Sequence, residues 1–243
     1  MTFSETIFRF RRWVLLLIVG FGFWAPWERL GGAHPGSTWL FLAGLLAHWG
    51  VLPIGDASIA VMAAAILCAL LAALLRTWGA AYLGRAVVHD AALHGERVVA
   101  DGPYRYVRNP LYIGTWLNVA ALAILMPPEG ALFALVAAAL VTVVKVGAEE
   151  RRLTAESGEG YLSYTRRVPR FFCAIMPRIP AGGARARWGE ALLSEIYMWG
   201  VFLTYAIFAG RYNVTVLEQG VLISLGIGLL VRGLWRPPAQ AIS

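Results

Sequence analysis

The run ASIAVMAAAILCALLAALL, residues 57–75, contains no charged side chain. As a helix it is long enough to cross a hydrocarbon core, which takes about 20 apolar residues. Inside lipid, only a helix or a closed barrel satisfies its own backbone polar groups. The rest of the chain agrees: of 243 residues 59% are hydrophobic and 14% charged. The mean hydropathy is +0.64, whereas a soluble domain carries about a quarter charged residues. These values imply an integral membrane protein. The net charge of +7 does not point to nucleic acid, because the arginines gather at the ends of apolar segments. There they fix topology and attract anionic head groups.

Working outward, further apolar runs fall at about 13–27, 38–54, 113–126, 130–147, 190–209 and 214–234. The first follows Arg9, Arg11 and Arg12 and has no small-x-small cleavage site, so it reads as a retained signal anchor. Arginines crowd 76–108 and 151–187, while the connections MPPEG (126–130) and GRYN (210–213) hold one between them. Seven crossings cannot put every arginine-rich stretch in the cytoplasm, because three would separate Arg12 from Arg76. Laying 38–54 along the outer interface restores the parity. The expectation is an all-α, polytopic transmembrane helical bundle of about six spans, both termini inside; the rival is a full seventh span. Segments 113–126 and 130–147 read as a helical hairpin turning at Pro127–Pro128, beginning near Pro110 and extending past Lys145 into the cytoplasm.

Three polar passages interrupt this pattern. GPYRYVRNPLYIG (102–114) places a Gly-Pro turn ahead of tyrosines and arginines, and Asn109–Pro110 suits a helix start. A helix start at a membrane face offers N–H groups and partial positive charge to an anion. KVGAEERRL (145–153) sets Glu149 beside Glu150, about 100° apart on a helix, so at most one points squarely into a given pocket. Read as a helix C-terminus, two acids there oppose the macrodipole, which suggests that one of them binds a cation. GEGYLSYTRRVPRFF (158–172) is aromatic and basic, suited to lying on the membrane surface.

This order of passages resembles the integral membrane methyltransferases of the isoprenylcysteine carboxyl methyltransferase and phospholipid methyltransferase group. Their pattern is approximately G-x-Y-x-x-x-R-[HN]-P-x-Y-x-G, a hairpin, E-E-x-x-L, then F-G-x-x-Y-x-x-Y-x-x-x-V-P-R. The resemblance covers about residues 95–178. It divides the chain into an N-terminal transmembrane region (1–94), a methyltransferase core (95–178) and two additional C-terminal helices (188–236). It implies S-adenosylmethionine held without a Rossmann fold in a cytoplasm-facing pocket. By match, Val99, Gly102, Tyr104, Asn109, Pro110 and Tyr112 would line that pocket together with Arg108. One of Glu149 and Glu150 would face the cofactor's positive groups, and Arg108 or Arg152 would orient the acceptor, making Arg108, Glu150 and Arg152 the catalytic candidates. Asn109 and Glu96 stand where the eukaryotic carboxyl methyltransferases have histidines, and His94 does not fill the second position in register.

Methyl transfer from a sulfonium is an in-line displacement, so the protein mainly positions the reactants and excludes water. A carboxylate acceptor is already ionised, whereas an amine or thiol needs a general base. The matched motifs hold no His or Cys, leaving Glu149, Glu150, Glu96, the tyrosines and Asp101 as bases. That favours an acceptor already ionised, with lipid-like carboxylates, phospholipid amines and small thiols all open. The expected setting is a bacterial inner membrane, with membrane lipids as partners and no nucleic acid. The four histidines (34, 48, 89, 94) show no metal-ligand spacing, and Cys68 and Cys173 offer no disulfide framework. An NADPH-dependent membrane reductase is the competing enzyme class. A transporter fits poorly, since 57–75 contains no charged side chain and 113–144 only Glu129, in the hairpin turn.

Overall fold

The computed structural model describes residues 11–27, 36–83, 87–89, 98–208, 211 and 213–234. Eight α-helices lie within these: α1 (Arg11–Trp24), α2 (Thr38–His48), α3 (Ile54–Ala81), α4 (Pro110–Ala123), α5 (Pro128–Arg167), α6 (Trp188–Ser194), α7 (Ile196–Phe208) and α8 (Val214–Leu234). A short antiparallel pair, β1 (Val87–His89) with β2 (Val98–Ala100), is the one addition to the helical expectation among the described residues; Val88 sits opposite Val99. The architecture is a helical membrane bundle.

The uncharged run lies within α3, whose 28 residues extend about 42 Å at 1.5 Å per residue. Its inner face is a stripe of small residues, with Ala57, Ala65, Ala69, Ala72 and Ala73 all buried. Such a stripe lets neighbouring backbones come close where lipid provides no hydrophobic drive between helices. On α5 the opposite pattern holds: Leu132, Val136, Leu140 and Val143, three or four apart, are exposed. A one-sided apolar face at helical spacing is the surface that lipid tails cover.

Three helices among the described residues are long and apolar enough to cross a membrane, Ile54–Ala81, Pro128–Arg167 and Val214–Val231; the α6–α7 pair, bent by 67°, makes a fourth if it is one span. Six crossings therefore do not follow from helix length alone. The remaining apolar helices are short; α4, with 14 residues, reaches only about 21 Å. The expected non-crossing segment is α2, whose 11 residues span about 16 Å against a core about 30 Å thick. It is tied across the hairpin turn, where Thr38 N–H and Oγ1–H both donate to the Met126 carbonyl at 2.7 and 2.8 Å. Trp39, fully buried, donates from Nε1 to the Ser58 carbonyl at 3.0 Å.

The hairpin forms as expected, with Pro110 and Pro128 each in the first turn of its helix. The second helix runs much further than its apolar run, to Arg167, with one non-helical residue at Gly158 (φ 54°, ψ −134°). The C-terminal helices dock onto α3 and α4. Arg187 N–H donates to the Ala81 carbonyl at 3.0 Å, Trp199 Nε1 to Thr77 Oγ1 at 3.0 Å, and the Tyr205 hydroxyl to the Ala121 carbonyl at 2.6 Å.

Candidate active site

The end of α3, the start of α4 and the far half of α5 meet at one rim of the bundle, and the loop between β2 and α4 is fastened there. Gly102 has φ +55°, and a Cβ on it would lie 2.3 Å from the Tyr82 ring, so only glycine fits this turn. Asp101, kept as a candidate base, is instead committed to structure. Its two carboxylate oxygens accept from the backbone N–H groups of Gly182, Gly183 and Ala184 at 3.0–3.1 Å. The 3-10 turn Gly102–Arg105 and the residues after it then run beside 169–179. Arg108 N–H donates to the Pro169 carbonyl at 2.9 Å, Ala174 N–H to Tyr106 at 3.0 Å and Arg178 N–H to Arg105 at 2.8 Å. Asn109 occupies the N-cap position of α4 but makes no capping bond with its side chain. Its Nδ2 donates to the Arg170 carbonyl at 3.2 Å.

That latch places the Arg170 side chain beside Glu150. Glu150 is buried and forms ion pairs with Arg170 and, at 2.9 Å between Nη1 and Oε1, with Arg108. The Arg108–Glu150 approach is close but not aligned as a hydrogen bond, and Arg108 Nε and Glu150 Oε1 are both buried without a hydrogen-bond partner. Next to this cluster Tyr112 donates from its hydroxyl to Glu149 Oε2 at 2.9 Å, so the two adjacent acids serve different partners. Tyr104 is buried beneath them; its hydroxyl points to the Gly79 carbonyl at 3.4 Å, and its own carbonyl accepts from the Tyr164 hydroxyl at 2.9 Å. Desolvation pushes the Tyr104 hydroxyl well above its ordinary range, and the charge of Glu149 pushes the same way. Tyr104 is therefore a neutral phenol at any working pH, not a base.

The structure brings together Gly102, Tyr104, Arg108, Asn109, Pro110, Tyr112, Glu149 and Glu150. Val99 lies on β2, next to Ala100, whose N–H donates to the Pro180 carbonyl at 3.3 Å. Glu96, His94 and His34 lie outside the described residues. Arg152 does not join the cluster. Two residues after Glu150 on one helix, it is rotated by about 200°, and its side chain is 60% exposed, paired with Glu156 at 3.6 Å. Arg152→Ala is accordingly expected to change turnover by less than about twofold, since exposed i,i+4 pairs contribute little; a kinetic assay on reconstituted protein checks this.

Two further readings need correction. Glu149 and Glu150 are not at a helix terminus, since α5 continues through them to Arg167; the macrodipole argument does not apply, and the cationic partners do the stabilising. Nor does 158–172 simply lie flat on a surface. Tyr161 and Tyr164 are buried and pack with Tyr104, Val168 and Ile179, forming a wall of the site, while Arg166 and Arg167 remain exposed.

A second buried charge cluster went unread in the sequence. Arg76 donates from Nε and Nη2 to both oxygens of Glu195 at 2.6 and 2.8 Å, and from Nη1 to the Leu111 carbonyl at 3.1 Å and Thr115 Oγ1 at 2.6 Å. It thus grips the first turns of α4, the helix that carries Pro110 and Tyr112. Gly114 makes room for it, because a Cβ there would lie 2.5 Å from Arg76 Cγ. The available signal was that Arg76 ends the uncharged run and Glu195 lies inside the apolar run 190–209.

No curated protein and no solved structure gives a significant match to the chain. One family model does, over residues 64–155, somewhat more than a third of the chain. That match begins inside α3, earlier than the motif resemblance, and ends before the 158–172 passage. The segment that supplies Arg76, the 102–114 loop, the hairpin and both glutamates is thus a match to the Isoprenylcysteine carboxyl methyltransferase (ICMT) family.

Proposed function

We propose that the protein is an S-adenosylmethionine-dependent integral membrane methyltransferase acting on a lipophilic acceptor already ionised at neutral pH, an isoprenylcysteine-type carboxylate above all. The observation that carries this is the Arg108–Glu150–Arg170 cluster, in which Arg108 Nε and Glu150 Oε1 are buried without a hydrogen bond, Oε1 being ion-paired with Arg108 Nη1. Buried polar groups left without a hydrogen bond are costly, and here one is a cationic donor and the other an anionic acceptor. That is the complement of a zwitterionic amino-acid group, so the residues fit the aminocarboxylate end of S-adenosylmethionine. When bound, that cofactor supplies a methyl group activated on a positively charged sulfur.

Glu149 and Glu150 present negative charge to the cofactor's cationic groups, and Arg108 provides a donor for a carboxylate. Val99, Gly102, Tyr104, Asn109, Pro110 and Tyr112 frame the pocket. Tyr161 and Tyr164 close one side and exclude water. Of the candidate bases among the described residues, Asp101 is held by three backbone N–H groups and Tyr104 stays neutral. This supports an acceptor that needs orientation rather than deprotonation. The arginine-rich rim supports a site facing the cytoplasm, across a bacterial inner membrane, with the core 95–178 flanked by membrane regions 1–94 and 188–236.

Two measurements test this. S-adenosylhomocysteine is expected to raise the melting temperature of detergent-purified protein while NADPH does not; the reverse pattern makes it a reductase. Membranes given radiolabelled S-adenosylmethionine should yield lipid-extractable label released by base, as an ester is. Base-stable label would assign an amine or thiol acceptor instead.

A further inference from the structure

Beside the site, the segment FFCAIMP (171–177) leaves Phe172, Ile175 and Met176 exposed by 86%, 97% and 74%. These side chains are not loose. The backbone beneath them is bonded to 105–108 through Arg108 N–H to Pro169, Ala174 N–H to Tyr106 and Arg178 N–H to Arg105. A fixed backbone thus holds three large apolar groups away from the protein. Nothing in this chain that the structure describes covers them.

Two independent observations say what does. The first is depth. Tyr106, whose carbonyl receives the Ala174 N–H, packs its ring against Trp78 at 5.8 Å between centroids, and Tyr82 meets Trp188 at 6.4 Å. Trp78 and Tyr82 lie at the C-terminal end of α3, a helix long and apolar enough to cross a membrane. Aromatic rings at the end of a spanning helix mark the membrane–water interface, so the 171–177 segment is tethered at that level. The second is charge. Arg166, Arg167 and Arg178 flank the apolar tip and are all exposed. Apolar side chains rimmed by arginines fit a leaflet with negative head groups, where each nearby arginine favours association roughly fivefold.

We propose that residues 171–177 enter the headgroup region of an anionic leaflet and fasten the rim of the site to the bilayer surface. Arg170, one residue before the segment, holds Glu150, and its carbonyl accepts from Asn109 Nδ2. The anchor therefore attaches directly to the wall of the cluster, whatever reaction that cluster performs. An acceptor lipid leaving the leaflet would meet this edge first.

The chain has its own probe. Cys173 lies within the segment, and the other cysteine, Cys68, is in α3. In a Cys68→Ala protein, Cys173 is labelled with a polarity-sensitive fluorophore, and the protein is reconstituted into vesicles of phosphatidylcholine with and without phosphatidylglycerol. Nitroxide-bearing lipids are expected to quench the label, aqueous iodide to quench it several-fold less than in a denatured reference, and protection to be greater with phosphatidylglycerol. The Arg166→Gln/Arg167→Gln/Arg178→Gln protein should lose that last difference. A second protein, with Cys68→Ala, Cys173→Ser and Glu156→Cys, carries the same fluorophore on an exposed helix face and should remain open to iodide. The proposal is overturned if iodide reaches Cys173 as freely as it reaches position 156. It is equally overturned if nitroxide lipids quench both positions alike, which assigns the effect to the dye. Quenching that follows the protein-to-lipid ratio and ignores nitroxide lipids would also overturn it, assigning the face to a second copy of the chain.

Discussion

Glu150→Ala is expected to abolish detectable S-adenosylhomocysteine binding, a loss of at least about 100-fold, and to destabilise the fold by about 3 kcal/mol. The reason is that the substitution does not merely remove a contact. Arg108, whose side chain is 13% exposed, would keep its charge in a site with no counter-ion. Arg170, with its side chain 43% exposed, can turn to solvent, so its half of the cluster adds little to the penalty. Glu150→Gln separates charge from shape, keeping the volume and one acceptor oxygen. It should recover part of the melting temperature but not the affinity. Calorimetric titration alongside thermal unfolding checks both. Wild-type affinity in Glu150→Ala would refute the pocket proposed above. Asn109→Ala is the gentler counterpart, loosening the latch on Arg170 while leaving every charge in place.

Glu195→Ala is expected to cost about 3–5 kcal/mol, because it strands the Arg76 guanidinium between α3 and α4. Glu195 is only 4% exposed, so water cannot readily take its place. Arg76→Ala should cost a similar amount. The combined Arg76→Met/Glu195→Leu protein should regain most of the loss, since removing both charges ends the desolvation penalty that either alone leaves behind. A double-mutant cycle on melting temperature measures the coupling. If instead the double substitution is as unstable as the sum of the singles, the bidentate pair is not what joins α7 to the core.

These clusters show which parts of the molecule were legible in the sequence. Residues 57–75 announced a spanning helix because lipid permits few alternatives, and Pro110 and Pro128 announced helix starts because proline lacks an N–H. The site loop was legible through its spacing of glycine, tyrosines, arginine and Asn-Pro. What escaped was everything fixed by pairing at a distance. Glu150 and Arg170 are 20 residues apart and Arg76 and Glu195 are 119 apart, and no local pattern announces such partners. Arg152 was placed in the site by motif when its helical phase puts it outside. Helix length alone does not give the span number, for a related reason: an apolar run says that a segment avoids water, not how many of its residues become one straight helix.

Gly158 carries a last consequence. Between Glu150 and this glycine α5 runs with Arg151, Arg152, Ala155 and Glu156 exposed; beyond it the chain changes direction and brings Tyr161, Tyr164 and Arg170 back to the cluster. The seven residues from 151 to 157 thus act as a ruler. Leu153 packs against the tyrosine cluster, but the identities of the exposed residues are nearly free; the number of residues is not, because one added residue would rotate everything downstream by about 100°. Insertions here should silence the protein even where substitutions at every one of these exposed positions are tolerated.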